Sequence, residues 1–238
     1  MISIILASGQ GSRLVPLSYY IPKVLLPVRG KPVLDYILSN LKNLDIDTHY
    51  VVISEHKEAV EKYLRSTGLD NVSTVRGLEW ESGGDLAIAL EQIDPASDVA
   101  VMNGDIVTDV DMAQVYAEHL SAGGYVTMAV TKINSKEAKR FGRVTFNGKG
   151  KVTTFREKTK SGSNYVNMGF YIFDRKLVKE RKTYLMPRKF KYEPVLLSRL
   201  AREGRLAVSM QTPKYFWDVG TMDSYLEAED VLKSKGPG

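Results

Sequence analysis

The alternation of apolar and polar stretches along the first 130 residues predicts strands separated by helices. A short apolar run at residues 2–7 precedes glycines and predicts a buried strand. Apolar positions at residues 33–44 recur at helical spacing behind Pro32, which is tolerated in a first helical turn. Such alternation implies a mostly parallel sheet covered by helices on both faces, with sites at the carboxyl ends of the strands. Further strands are predicted at residues 49–53, 72–75, 98–102 and 125–131, and further helices at residues 57–65, 85–92 and 112–120.

After about residue 132 the strand signals follow one another directly. Residues 143–146 and 151–156 alternate on either side of Asn147-Gly148, which predicts a hairpin. We find no repeat and no low-complexity linker. We therefore expect one α/β domain over residues 1–238, with a Rossmann-like sheet in residues 1–131 and a smaller β-rich lobe in residues 132–238. The remaining predicted elements are strands at residues 165–173 and 206–210 and helices at residues 191–202 and 224–233.

Composition excludes several classes of protein. The 238 residues contain no cysteine, which excludes disulfides and thiolate metal sites and favours a reducing, cytoplasmic location. No apolar run has the length of a membrane helix, so we expect no membrane association. The net charge of +5 attracts anions without identifying them. We interpret Arg181–Lys182 and Arg188–Lys189–Lys191 as solvated surface, and no aromatic-interleaved motif suggests a nucleic-acid partner.

A glycine-rich turn after the first predicted strand carries the first candidate chemistry. Its backbone N–H groups can hold phosphate oxygens, and the flanking cations Arg13 and Lys23 suit a triphosphate. The spacing Gly9-x-Gly11-x-x-Leu14 lacks the third glycine of a dinucleotide fingerprint, and the Lys-Ser/Thr ending of a P-loop is also missing. From these residues alone, a phosphate-binding loop and a tight turn between two surface cations both stay open.

The same stretch resembles the signature of the sugar-1-phosphate nucleotidylyltransferases, such as glucose-1-phosphate thymidylyltransferases and mannose-1-phosphate guanylyltransferases. It reads GQGSRLVPLSYYIPK over residues 9–23, with Ser12 and Ser18 where threonine is usual. The resemblance implies transfer of a nucleotidyl group from a nucleoside triphosphate to a sugar 1-phosphate, with residues 1–131 as the nucleotide half and 132–238 as the sugar half. It implies catalytic roles for Arg13, Lys23 and Asp105, and nucleotide binding by Leu6, Ala7, Gly9, Gly11, Ser12, Arg13, Ser82, Gly83 and Gly104.

Two further segments are similar to the family's metal-binding segments. Asn103-Gly104-Asp105 ends a predicted strand, and Asp218 lies in the stretch WDVGT at residues 217–221. A carboxylate at a strand end can hold magnesium that bridges phosphates, or it can cap the next segment as a turn residue. The resemblance implies that Asp105 and Asp218 together hold the cofactor Mg²⁺.

The sugar side of the family is matched by three segments in the second half, around Gly142, Glu157 and residues 166–174. Glutamate accepts hydrogen bonds from hydroxyls, and lysine binds phosphate. Asn167 and Gly169 suit a close sugar ring, although a strand bulge would also explain them. Thr159 stands where the family has proline. The resemblance implies a hexose 1-phosphate site made of Gly142, Glu157, Lys158, Asn167 and Gly169.

The nucleotide base is not identified, because this region departs from the family pattern. Ser82 replaces threonine conservatively, but Glu81 replaces a glycine, and Arg76 stands about where a base-reading glutamine often lies. We therefore expect dTTP, UTP or GTP as the triphosphate, with a hexose 1-phosphate as the second substrate.

Two other functions stay open. A non-catalytic regulatory subunit that binds nucleotide sugars would be free to lose Arg13, Lys23, Asp105 or Asp218, all of which are present. A CTP-dependent phosphocholine-type cytidylyltransferase would need an aromatic or acidic choline pocket.

No histidine is required as a general base, because the attacking phosphate is already an anion. We interpret His49, His56 and His119 as structural. Family members are often oligomeric, which favours a homo-oligomer. Some carry a C-terminal β-helix, which we do not expect here because the chain ends soon after the last predicted helix.

Overall fold

The computed structural model describes residues 1–54 and 57–235, which form a mixed, mostly parallel central sheet flanked by helices. His56 lies outside the described residues. The strands are β1 (Ile2–Leu6), β2 (Pro27–Val28), β3 (Lys31–Pro32), β4 (Thr48–Ile53), β5 (Val72–Arg76), β6 (Val99–Asn103), β7 (Ile106–Thr108), β8 (Val126–Lys132), β9 (Arg143–Phe146), β10 (Val152–Arg156), β11 (Tyr165–Phe173), β12 (Leu206–Met210) and β13 (Phe216–Asp218). The α-helices are α1 (Val33–Leu41), α2 (Lys57–Thr67), α3 (Glu81–Ile93), α4 (Met112–Ala122), α5 (Ser135–Ala138), α6 (Arg175–Lys179), α7 (Arg181–Tyr184), α8 (Ser198–Arg202) and α9 (Met222–Lys235).

The first half of the chain builds a parallel part of the sheet, as predicted. Four of its strands lie in the order β5-β4-β1-β6, all parallel, and helices connect them because parallel neighbours need a crossover. The strand predicted at residues 125–131, β8, does not join them and pairs instead antiparallel with β11 and parallel with β12. Leu6 at the end of β1 pairs with Asn103 at the end of β6. The segments that follow these two strands therefore begin side by side at the carboxyl edge of the sheet.

The second half continues the same sheet. β11 pairs antiparallel with β6, joining Phe170 to Met102, and it also pairs with β8 and β9. β10 and β9 form the predicted hairpin, and β12 lies parallel to β8. One nine-stranded sheet therefore runs through both predicted halves. The division of the chain near residue 131 into a nucleotide half and a sugar half stays a prediction.

Two hydrophobic cores cover the two faces of the sheet. Ile4 and Val101 contribute to the core beneath α3 and residues 175–202, whereas Ile5 and Met102 contribute to the core beneath α1, α2, α4 and α9. All four side chains are fully buried. Because successive strand residues point to opposite faces, a strand covered on both sides is apolar throughout, which explains the uninterrupted apolar runs in the sequence. Among the described residues, no helix combines the length and apolar character needed to cross a membrane.

Helix α3 begins at Glu81, four residues before its predicted start. Gly83 and Gly84 therefore lie within its first turn, where both backbone N–H groups donate to the carbonyl of Phe190, at 2.8 and 3.3 Å. The first N–H groups of a helix have no partner within the helix, so this remote carbonyl stabilises an extension that local preference disfavours.

The helix predicted at residues 191–202 divides into a π-helical turn at Glu193–Leu197 followed by α8. Pro32 occupies the N-cap position before α1 and not its first turn.

A two-stranded antiparallel ribbon of β7 and β13 lies outside the main sheet and was not predicted. Asp218 at the end of β13 pairs with Ile106 at the start of β7. The backbone N–H of Val219 donates to the carbonyl of Asp105 at 2.9 Å. The ribbon therefore joins two chain segments that are about a hundred residues apart.

Candidate active site

A cavity of about 830 Å³ opens at the carboxyl edge of the parallel strands. We call the side lined by Gly9, Arg13, Lys23 and Asp105 the glycine-loop end, and the side lined by Glu157 and Glu193 the acidic end. Every predicted site residue except Gly83 lines this cavity: Leu6, Ala7, Gly9, Gly11, Ser12, Arg13, Lys23, Ser82, Gly104, Asp105, Gly142, Glu157, Lys158, Asn167, Gly169 and Asp218.

The glycine-rich turn leaves β1 and enters a short 3₁₀ turn at Ser12–Leu14. Gly11 adopts φ +63°, a left-handed conformation that glycine takes without strain, and its carbonyl accepts a hydrogen bond from Leu14 N at 2.7 Å. This geometry carries Arg13 towards the segment around Asp218. Arg13 Nη2 lies 3.4 Å from the position that a β-carbon on Gly220 would occupy.

The carboxylates of Asp105 and Asp218 face the same small space. Asp218 Oδ1 and Asp105 Oδ2 lie 3.5 and 3.6 Å from the position of that β-carbon on Gly220. A side chain at residue 220 would therefore stand against both oxygens. Two carboxylates on the wall of this cavity suit magnesium. This ion is often bound by one or two carboxylates and completes its coordination with phosphate oxygens and water. The donor set thus fits the predicted ion.

Asp105 forms an ion pair with Lys23, with 2.5 Å between Oδ2 and Nζ. Burial by itself raises the pKa of Asp105, but the ammonium of Lys23 and the charges of Arg13 and Lys158 outweigh it and hold the pKa below the ordinary value. Asp105 is therefore a carboxylate at neutral pH. Asp218 forms its own ion pair, with 3.0 Å between Oδ1 and Nη2 of Arg140.

At the acidic end, the pKa of both Glu157 and Glu193 is raised. Burial is the main cause that raises the pKa of Glu157, and the negative charge of Glu193 raises it further. Burial also raises the pKa of Glu193, although Ser82 Oγ donates to its Oε2 at 2.7 Å. Lys191 opposes both shifts. These carboxylates can accept hydrogen bonds from donors that enter the cavity.

The side chain of Asn167 is committed to internal hydrogen bonds. Its Nδ2 donates to Tyr171 Oη at 2.5 Å, and its Oδ1 accepts from Gly169 N at 2.9 Å. The pairing of β11 with β8 shifts register between Asn167 and Tyr171, so the bulge expected as the alternative is present. Sugar binding by Asn167 and Gly169 stays a prediction.

Gly83 is the predicted residue that the structure places elsewhere. It is buried, and a β-carbon there would meet the ring of Phe190 at 2.5 Å. Its N–H is occupied by the Phe190 carbonyl. The glycine is explained by the close approach of residues 188–190, and its contact with a nucleotide stays a prediction.

Several cavity residues were not found from the sequence. Lys189 and Lys191, which we interpreted as solvated surface, are exposed and also line the cavity. Isolated lysines carry no local signal of this placement, which depends on the fold of residues 186–192. Arg76, in contrast, is exposed at the end of β5, and it does not appear among the described residues that line the cavity. The other cavity residues missed from the sequence include Gln10, Glu79, Arg140, Glu193, Gly220 and Thr221.

The two described histidines lie away from the cavity and have structural partners. His49 Nδ1 is 2.8 Å from Ser3 Oγ, and His119 Nδ1 is 2.9 Å from Thr127 Oγ1. Burial lowers the pKa of both imidazoles, so both are neutral at pH 7. These contacts agree with the structural interpretation of His49 and His119.

Comparison with known proteins identifies relatives over the whole described chain. The family described as "Nucleotidyl transferase" matches residues 2–235. A Sulfolobus acidocaldarius protein, provisionally named a mannose-1-phosphate guanyltransferase, is 30% identical over 99% of this chain and 64% of its own length. The glucose-1-phosphate adenylyltransferase of Geobacillus stearothermophilus is 30% identical over 97% of this chain and 66% of its own length. The chain therefore spans just under two thirds of each relative.

A crystal structure from Bacillus anthracis supports the fold independently. That protein, provisionally named a glucose-1-phosphate thymidylyltransferase and determined in complex with sucrose, superposes with a TM-score of 0.85. The match covers 100% of this chain and 97% of the other at 22% sequence identity. The similarity at this level of identity establishes a common fold.

Proposed function

We propose that this chain, which belongs to the nucleotidyl transferase family, transfers a nucleotidyl group from a nucleoside triphosphate to a sugar 1-phosphate. The products are a nucleoside diphosphate sugar and pyrophosphate. The observation that carries the proposal is the meeting of Asp105, Asp218 and Arg13 around Gly220, in the same cavity as Glu157 and Lys158. One cavity thus offers a polyphosphate site and a hydroxyl-accepting site.

In the proposed reaction, an oxygen of the sugar phosphate attacks the α-phosphorus in line with the bond to the β-phosphate. The new P–O bond forms as the bond to the pyrophosphate breaks, and pyrophosphate leaves with the electron pair. The attacking oxygen is already anionic, so no protein group has to remove a proton. The neutral His49 and His119, which lie away from the cavity, are consistent with this requirement.

The residues of the chain counter the repulsion between the two anionic substrates. A pair of like unit charges 4 Å apart costs about 1 kcal/mol in water and more in a drier site. Arg13 can bind phosphate oxygens with its two-pronged guanidinium, and Lys23 and Lys158 supply point charges. Their contribution is positioning and charge stabilisation, which are the main requirements of phosphoryl transfer.

Magnesium would be held by Asp105 and Asp218, and when bound it would neutralise charge on the phosphates. At the acidic end, Glu157 would accept hydrogen bonds from sugar hydroxyls. Gly142 lies against this carboxylate, since a β-carbon there would be 2.8 Å from Glu157 Oε2. In this proposal, the sugar hydroxyls bind the Glu157 carboxylate, which packs against the backbone of Gly142.

Pyrophosphate release, measured with purified protein, tests the proposal. The panel combines dTTP, UTP, GTP, ATP and CTP with glucose, mannose and glucosamine 1-phosphates and with phosphocholine, and mass spectrometry identifies the product. We expect product with at least one triphosphate and sugar phosphate pair. Lys139→Ala serves as the control, because Lys139 is an exposed cation close to the site.

Two outcomes would contradict the proposal. Binding of nucleotide sugars without turnover would favour the regulatory subunit, and turnover only with CTP and phosphocholine would favour the cytidylyltransferase. The acidic end could attract a cationic headgroup, but Lys158, Lys189 and Lys191 line the same cavity and oppose it.

A further inference from the structure

Arg140 holds the carboxylate of Asp218 at the glycine-loop end of the cavity. It follows the short helix α5, and its Nη2 is 3.0 Å from Asp218 Oδ1. Its guanidinium centre also lies 5.0 Å from the centroid of the Trp217 ring and 5.8 Å from that of Phe141. Cation–π contacts of this kind fix a guanidinium in place. Contacts with Asp218, Trp217 and Phe141 thus hold the guanidinium of Arg140 in place.

Arg140 pairs with Oδ1 of Asp218, the oxygen of that carboxylate nearest to the β-carbon position of Gly220. Asp218 Oδ1 and Asp105 Oδ2 are the two carboxylate oxygens nearest to the β-carbon position of Gly220. Asp105 Oδ2 is itself paired with Lys23. Both oxygens that converge on the expected ion site are therefore already bound by cations of the chain.

A divalent ion and a guanidinium on the same carboxylate oxygen repel each other, so each weakens the binding of the other. An ion held by Asp105 Oδ2 and Asp218 Oδ1 is therefore opposed by the cation already on each oxygen. Lys23 belongs to the proposed catalytic set, whereas Arg140 has no role in it.

We propose that Arg140 is a positioning residue that competes with the divalent ion for Asp218. In the structure described here it keeps the carboxylate aligned towards Asp105, and ion binding releases it. This inference uses Asp105 and Asp218 as ion ligands and so rests on the proposed function. Binding of Mn²⁺ alone tests it separately from turnover.

The test measures Mn²⁺ affinity by electron paramagnetic resonance for the wild type and for Arg140→Met, which keeps the unbranched stem against Trp217 but loses the charge. We expect about fivefold tighter binding in the variant, because the ion no longer has to break a partly exposed ion pair. Arg140→Lys retains a cation, so its Mn²⁺ affinity should be close to that of the wild type. Lys139→Met removes the neighbouring exposed charge and should not change the affinity.

A double-mutant cycle localises the effect to the ion pair. In an Asp218→Asn background, Mn²⁺ should bind more weakly, and Arg140→Met should no longer tighten it. Equal or weaker binding by Arg140→Met in the wild-type background would overturn the proposal, because Arg140 would then stay in place beside the ion. Equal tightening in both backgrounds, or no saturable binding in any variant, would overturn it too.

Trp217 supplies a second readout. The chain has two tryptophans, so Trp80→Phe isolates the emission of Trp217. Departure of the guanidinium from its ring should change that emission when Mg²⁺ is added, and Arg140→Met should abolish the change. An unchanged emission at high Mg²⁺ in the Trp80→Phe protein would contradict release of Arg140. Absence of turnover in the substrate panel, together with tighter Mn²⁺ binding in Arg140→Met, would overturn the proposed function and leave this inference standing.

Discussion

At the glycine-loop end of the cavity, Asp105 and Asp218 are each bound by a cation of the chain, through Lys23 and Arg140. At the acidic end, burial raises the pKa of Glu157 and the charge of Glu193 raises it further, while Lys158 and Lys191 lower it. One end thus holds its carboxylates in direct ion pairs, whereas at the other end burial opposes the ionisation of both carboxyl groups. The difference matches the expected ligands, since phosphates and metal ions exchange with charged groups and hydroxyls need acceptors.

The strongest way to break the comparison is Lys23→Ala. It removes the partner of Asp105 and a cation expected to stabilise charge at the α-phosphorus, so we expect kcat to fall by about a hundredfold or more. Lys31→Ala, an exposed lysine on the hairpin that follows, is the matched control. Steady-state pyrophosphate release and a thermal melt measure the effect. Unchanged kcat in a folded variant would remove Lys23 from the mechanism.

Asp105→Asn should change the metal requirement. Loss of one of two charged ligands should raise the Mg²⁺ concentration for half-maximal rate by about tenfold, equivalent to 1.4 kcal/mol. The variant keeps the shape of the side chain, so its circular dichroism should match the wild type. A magnesium titration that superposes on the wild-type curve would contradict the ligand role.

Glu157→Gln sharpens the contrast at the acidic end. The amide accepts one fewer hydrogen bond and carries no charge, so we expect the KM for sugar 1-phosphate to rise about five- to tenfold with little change in the KM for triphosphate. Glu137→Gln is the control, because Glu137 on the short helix α5 is not among the described residues that line the cavity, and its side chain accepts a hydrogen bond from Asn134. An equal rise in both KM values would show that the two ends are not separate.

Glu193→Gln should have the smallest effect, on the titration of Glu157. The pKa of Glu157 is raised above 4.5 in the folded protein. The free energy of unfolding therefore falls as the pH rises from 4.5 through the raised pKa, because the unfolded chain ionises more easily. Removing the charge of Glu193 should lower the pKa of Glu157. Carbon-13 NMR of labelled glutamate carboxyls measures it. An unchanged or higher pKa of Glu157 would show that the charge of Glu193 does not raise it.

Local patterns in the sequence predicted most of the main sheet. β11 and β12 have the predicted bounds, β1 and β4 differ by one residue at one end, and β6 is shifted by one residue at both ends. Their apolar runs are short and bounded by turn residues, which leaves little freedom in placing them. The early start of α3 could not be predicted, because the acceptor for its first N–H groups is Phe190, about a hundred residues further along the chain.

In the candidate site, too, local sequence patterns predicted some residues, and others depend on contacts between distant parts of the chain. Arg13 and Asp105 were predicted because they lie beside glycines at strand ends, in segments that resemble the family signature. Glu193 and Arg140 lie outside the motifs that carry this resemblance. Their position depends on how residues 135–140 and 186–197 cross the mouth of the cavity, which is a property of tertiary packing.

The ribbon of β7 and β13 has a consequence for biosynthesis and refolding. A nascent chain that has emerged only through α4 already contains Arg13, Lys23 and Asp105, yet the ion site proposed between Asp105 and Asp218 lacks one wall until residue 218 has joined the ribbon. Contacts between such distant segments form late, because the intervening chain must first be closed into a loop. Ion binding should consequently appear after most of the helical signal during refolding, so it can serve as a marker that the last stage of assembly is complete.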